Sequence, residues 1–381
     1  MKKCGIVFRT NKKITMYSEE FYRLALRHLE GYGSATLRQM LRLAGSACQL
    51  FTQPETWRSK MSARARKLPP PTVTTDMARR VETELRQMEK YHIRLCSCLD
   101  ADYPYRLKNC QDAPLSFFYK GEPIFNRTRM LAVVGTRDVS DYGRDATRKI
   151  LSELRGSDVV TVSGLAYGVD TEAHHNSLEN DLPTIAVLGN GLGRIYPPGN
   201  TSLARQIVDR GGTVVSEYDF QAIPDRVNFP RRNRIIAGMA DAVLVMETAA
   251  KGGSMITAYI AHSYNRDIFA VPGSIFDGRH DGCHELVRKN MAALVTTGQQ
   301  LLEMMNWDAR PARPVQTSLF LNLSAEEQTV VDALRGGEVP LDVLSEQMSG
   351  CSPSKIAGIL LGLELKGVIT CKPGKMYALN N

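Results

Sequence analysis

From about residue 128 to 306, short apolar runs alternate with amphipathic stretches, and this alternation limits what the chain can fold into more than any other feature. Runs at 130–134, 158–162, 184–188, 213–215, 241–246, 267–271 and 292–296 have strand length, and the segments between them, such as 142–154 and 254–264, carry helical spacing. Strands separated by helices cannot pair as hairpins. They need crossover connections, which predict a largely parallel sheet covered on both faces, a doubly wound α/β domain.

The flanks read differently. Leu24, Leu26 and Leu29 precede a corner at Gly31-Tyr32-Gly33, and Leu37, Met40, Leu41 and Leu43 follow it, which predicts a helical hairpin of the helix-hairpin-helix or SAM-like kind. Such a corner can present backbone amides to a phosphate; a tight turn between packed helices is the simpler reading. Residues 59–75 are basic and proline-rich, an exposed connection before a helix at 76–90. Beyond a proline-bearing linker at 307–322, three short helical patterns and a closing hairpin suggest a winged helix. The expected organisation is a helical amino-terminal unit with connecting segment (1–125), the α/β domain (126–306), the linker (307–322) and a winged-helix-like unit (323–381).

A net charge of +8 and a pI near 9.0 favour a polyanionic partner. No run approaches the roughly 20 apolar residues of a membrane span, and Arg9 interrupts the first apolar stretch before it reaches signal-peptide length. A cytoplasmic protein is expected, with no membrane contact. The 8 cysteines are scattered, with one Cys-x-Cys and no Cys-x-x-Cys, and read as reduced thiols.

In an open parallel sheet, ligands bind beyond the carboxyl ends of the strands. Gly135-Thr136-Arg137 follows the first strand, with a helix starting near Asp141: glycine permits close backbone approach, and the arginine can grip a phosphate. Glycine-bearing turns follow the second strand (163–170) and the third (189–198). The segment 226–234 sets four arginines around Phe229 and Pro230, the mixture of cations and a flat ring that single-stranded nucleic acid requires. After the fifth strand, Lys251 and the Gly253 and Ser254 amides form either another anion-binding helix start or an ordinary cap.

Other chemistries fit less well. The glycines at 189–193 lead into Pro197-Pro198 and follow a later strand, whereas a dinucleotide fingerprint occupies the first turn, so no nucleotide cofactor is expected. His174-His175 and His280 to His284 lack a completing ligand set, so no metal is expected. Ser163 and Ser216 have no sequence-local base, so no catalytic nucleophile is expected.

Taken together, Val134 to Arg137, Ser163 to Asp170 with Ala173-His174, Leu188 to Asn200, Ser216-Glu217, Phe229 to Gly238, and Gly252 to Ala258 with Phe269 to Gly273 resemble the DprA/Smf family of DNA processing proteins. The resemblance implies a Rossmann-like domain that binds single-stranded DNA without enzymatic activity. It also implies delivery of that DNA to the RecA recombinase in natural transformation and recombination, and a homodimer through the Rossmann-like domain. On the matching motifs, Arg137, Arg194, Arg232 and Arg234 hold phosphates, and Gly135, Ser163, Gly164 and Gly168 shape the pocket. With Thr136, Gly191, Phe229, Arg231, Asn233, Lys251, Gly253 and Ser254 these are the candidate DNA-binding residues. The chain departs from the family at Gly252, where serine is frequent, at His284, where asparagine is, and at Asn290-Met291, where Gly-Ala is.

Two rival readings exist. Related Rossmann-like hydrolases of the cytokinin-activating type carry acidic residues at a Pro-Gly-Gly-x-Gly-Thr helix start, but residues 252–259 contain no Asp or Glu. A duplex-reading winged helix would need several cationic or amide side chains, but residues 352–365 contain one basic residue, Lys355, opposed by Glu364.

Overall fold

The computed structural model describes residues 8–10, 13–15, 17–62, 66, 68–307, 323–348, 351–372 and 374–379. A short hairpin, β1 (Phe8–Thr10) and β2 (Lys13–Thr15), precedes the helical unit. Nine strands then form the central sheet: β3 (Arg94–Ser97), β4 (Ser116–Gly121), β5 (Arg129–Val134), β6 (Val159–Ser163), β7 (Thr184–Leu188), β8 (Thr213–Ser216), β9 (Ala242–Val245), β10 (Asp267–Ala270) and β11 (Ala293–Leu294). Their order is β11-β10-β9-β5-β6-β7-β8-β4-β3.

β5 to β11 pair in parallel, as the crossover argument requires. Successive residues of a strand point to opposite faces, and here both faces are covered. Met130, Ala132 and Val134 of β5 pack with Ile235, Ile236, Met255 and Ala258 from helices Asn228–Met239 and Gly253–Ser263. Leu131 and Val133 pack with Ile150, Leu151, Val169 and Ala173 from helices Asp141–Glu153 and Val169–Glu179. Because both faces are apolar, each strand reads as an unbroken hydrophobic run rather than an alternating one.

The chain leaves β5 toward β6, β7 and β8 on one side and returns to β9 on the other, so the topological switch point lies between β5 and β9. Ligands of doubly wound sheets bind at such a point, beyond the carboxyl ends.

β3 and β4 lie inside the segment read from sequence as the helical unit with its connection. They extend the sheet by antiparallel pairing of β4 with β8 and of β3 with β4. The sheet thus begins at Arg94, ahead of the expected boundary at 126. An antiparallel edge needs no crossover helix, so it escapes a search for strand-helix alternation.

The amino-terminal helices Glu19–Ala25 and Ser34–Ala44 flank the glycine corner, with Gly31 in the left-handed region at φ 84°. They join helix Thr75–Tyr91 around a core of Phe21, Tyr22, Leu50 and Trp57. The carboxyl-terminal helices Ala325–Leu334, Leu341–Gln347 and Pro353–Leu365 pack with strands β12 (Val339–Pro340), β13 (Ile369–Lys372) and β14 (Met376–Leu379), the arrangement of a winged helix. Apart from Trp307, the expected linker lies outside the described residues. No helix among the described residues is long and apolar enough to cross a membrane.

Candidate nucleic-acid interface

The turn after β5 is held from two sides. The Thr136 amide donates to the Glu247 carbonyl at 2.7 Å, and the Val169 amide donates to the Thr136 carbonyl at 3.0 Å. Gly135 presses against Val169, and Gly168, at φ 75°, against the Thr136-Arg137 peptide, so a Cβ at either would collide. The exposed Arg137 side chain therefore projects from a fixed base, with its guanidinium 5.2 Å from the centroid of the Phe229 ring. That distance is within cation–π range.

Phe229 opens helix Asn228–Met239 and is seated where Gly189 leaves room for its ring. Tyr196, 40% exposed, lies 5.7 Å from it centroid to centroid, and Tyr167, 54% exposed, faces the same cleft. Arg137, Gly164, Ala166, Tyr167, Tyr196, Pro197 and Phe229 line this hollow. Tyr167 and Tyr196 are not among the candidate residues expected from sequence, although the runs that contain them are. The available signal was an aromatic residue in a strand-end turn, where no core lies beneath it.

The arginines of the Phe229 segment divide into two kinds. Arg226 and Arg231 are exposed. Arg232 is 3% exposed, and its guanidinium donates to the Gly164 carbonyl at 2.5 Å and to the Val187 carbonyl, with Nε 3.2 Å from Asn233 Oδ1. Burial pushes its pKa down and that of the neighbouring buried Asp170 up, each offset by the opposite charge of the other. Arg234 donates to both carboxylate oxygens of Glu217, at 2.6 and 2.5 Å. Arg232, expected to hold a phosphate, is instead turned inward onto the Gly164 and Val187 carbonyls, while Arg234 spends one terminal nitrogen on Glu217 and keeps its other terminal nitrogen buried without a hydrogen-bond partner.

Ser163 is likewise internal, its hydroxyl donating to the Val133 carbonyl at 2.7 Å. Gly191 is buried against the Asp219 and Phe220 carbonyls. Arg194, in the same turn, is exposed, and its carbonyl accepts from the buried Asn190 amide at 2.6 Å. At the end of β9, Lys251 is exposed and Gly253 faces open space, while Ser254 is buried with its hydroxyl unpartnered. The structure thus brings Arg137, Tyr167, Tyr196 and Phe229 around one hollow, with Arg194 and Lys251 exposed on the turns that follow β7 and β9.

Glu247 lies at the switch point, just beyond β9, and is not among the residues that the sequence singles out. It is fully buried, and its carboxylate accepts from the Ser140 amide at 3.2 Å and hydroxyl at 2.8 Å. The paired histidines separate: His174 is buried, held in its neutral form with its pKa lowered to about 3 by burial, and bonded to Thr184, whereas His175 is exposed. In the winged helix, Lys355 is paired with Glu326 at 2.5 Å, and Leu361 and Leu365 are exposed.

The sequence profile of the family described as DNA recombination-mediator protein A matches residues 94–306, and that of the DprA winged helix domain matches 308–375. The DNA processing protein DprA of Streptococcus pneumoniae is 44% identical over 206 residues, 54% of this chain and 72% of the relative. Protein Smf of Escherichia coli is 35% identical over 299 residues, 77% of this chain and 79% of the relative. The X-ray structure of the Streptococcus pneumoniae DprA superposes with a TM-score of 0.61 at 34% identity, covering 75% of this chain and 96% of that one. A Helicobacter pylori DNA processing protein A, described for its single-stranded DNA binding mode, gives 0.51 at 27% identity over 56% of this chain and 95% of that one.

Proposed function

Because the chain belongs to the DprA/Smf family of DNA recombination-mediator proteins, we propose that it binds single-stranded DNA along the carboxyl edge of its sheet and delivers that DNA to RecA in transformation and recombination. One observation carries this reading: a clamped, exposed Arg137 set over the Phe229 ring, with Tyr196 and Tyr167 around the same hollow. Guanidinium groups supply phosphate contacts, and exposed rings supply stacking surfaces for unpaired bases. A duplex, whose bases are already stacked, gains nothing from the rings.

Strands on a parallel sheet lie about 4.8 Å apart, so turns from β7 across to β9 span on the order of 15 Å, enough for a few nucleotides. The contacts are to phosphate and to ring faces, and little sequence preference follows. The homodimer implied by the family finds support at the β11 side of the sheet. Among the described residues β11 has no partner strand on its outer side, Leu294 is half exposed, and an apolar hollow forms between Val271, Cys283, Val287 and Leu294. The chain acts as a carrier rather than an enzyme in this reading: the helix start at Gly252 carries no acid, and Glu247 nearby is fully buried with one oxygen on Ser140 and the other 3.7 Å from Arg279.

The test is an anisotropy titration of labelled oligothymidylate and of a duplex of equal length at several salt concentrations. The single strand is expected to bind at least tenfold tighter. Its log K should fall with log salt by about 0.7 for each phosphate contact. Equal affinity for the two forms contradicts the reading.

A further inference from the structure

The amino-terminal unit packs against the segment between β8 and helix Asn228–Met239. Arg27 donates to the Glu217 carbonyl at 2.7 Å and to the Asp219 carboxylate at 2.9 Å, while its guanidinium rests over the Phe118 ring. Tyr91, the last residue of helix Thr75–Tyr91, stacks on Phe220 at 4.7 Å between centroids and 21° between planes. Glu84, Met88, Ile93, Phe118 and Leu192 line a small hollow with Phe220, and Phe220 and Leu192 both pack on the amino-terminal core.

From Phe220 the contacts run directly into the turn that bears Arg194. The Phe220 carbonyl accepts from the Gly193 amide at 2.8 Å, and the Ala222 carbonyl accepts from the Gly191 amide at 2.9 Å. Gly191 and Gly193 pack so closely on this segment that neither has room for a Cβ. The segment is also fixed at its other end, where Tyr218 donates to the Asn228 carbonyl at 3.1 Å, one residue before Phe229. A displacement of Phe220 must therefore be passed to the backbone of residues 191–193, because no gap lies between them to absorb it.

We propose that the amino-terminal helical unit sets the position of Arg194 through Phe220, so that this unit tunes the grip on single-stranded DNA. The inference rests on the reading of Arg194 as a strand contact. Tyr91 and Phe220 are positioning residues in it, acting through Arg194 and not by touching DNA. A ligand that lifts the amino-terminal unit from Phe220 releases the Arg194 turn and weakens the strand contact.

The test is a double-mutant cycle on the full chain, read by oligothymidylate anisotropy, with Tyr91→Ala, Arg194→Ala and the pair. Phe220→Leu, which keeps the apolar packing and removes the ring stack, serves as a second probe, and circular dichroism confirms folding. Tyr91→Ala alone is expected to weaken binding roughly fivefold and to lower the salt slope toward that of Arg194→Ala, which loses about 0.7. In the Arg194→Ala background it should have no further effect. Additive losses, or an unchanged salt slope in both Tyr91→Ala and Phe220→Leu, overturn the coupling while leaving the groove intact. Unchanged binding by Arg194→Ala itself removes Arg194 from the groove, and the coupling with it.

Discussion

Arg232→Ala is expected to lower folding stability by about 1–3 kcal/mol for each buried carbonyl it leaves without its donor. The wild-type guanidinium is 3% exposed, satisfies the Gly164 and Val187 carbonyls, and balances the buried Asp170. Alanine takes this donor from the Gly164 and Val187 carbonyls and the nearby positive charge from a buried carboxylate that still accepts from the Ala166 amide. Urea denaturation measures the loss. A pair change, Arg232→Met with Asp170→Asn, should lose less than the sum of the two single changes, because no unpaired charge then remains inside. An unchanged urea midpoint for Arg232→Ala, together with a shallower salt dependence of DNA binding, would return Arg232 to the phosphate contacts.

At the binding surface the largest effect is expected from Phe229→Ala. Loss of base stacking on an aromatic ring costs about 1–3 kcal/mol, roughly a tenfold to hundredfold drop in affinity for single strands of any sequence, with the salt slope nearly unchanged. Arg137→Ala should instead lower the slope by about 0.7. Since the guanidinium lies over the ring, the two changes share one contact, and the double variant should lose less than the sum. Anisotropy titrations at three salt concentrations separate these outcomes. Wild-type affinity in the double variant contradicts the groove assignment.

The parallel sheet was legible because strands buried on both faces leave continuous apolar runs: all of β5 to β11 fall within or beside the runs read from sequence. β3 and β4 were not, since they enter the sheet as an antiparallel edge outside the alternating region. The turns of the candidate site were legible through their glycines, several of which answer to a close approach seen in the fold, as Gly168 does against Thr136 and Arg137 and Gly164 against the Arg232 side chain. What the sequence could not separate was exposed from internal charge. Arg231 and Arg232 are adjacent in one basic run, yet a helix turns neighbouring residues to different faces, so one meets solvent and the other enters the domain. Contacts between the units were equally hidden, because Arg27 meets partners 190 and 192 residues away.

The most direct measurement is a structure of the protein with a short oligothymidylate. The account predicts a strand crossing the carboxyl edge of the sheet, with a phosphate on Arg137 and thymine rings against Phe229 and Tyr196. A strand bound to the winged helix or the amino-terminal helices, with those three side chains untouched, would contradict it.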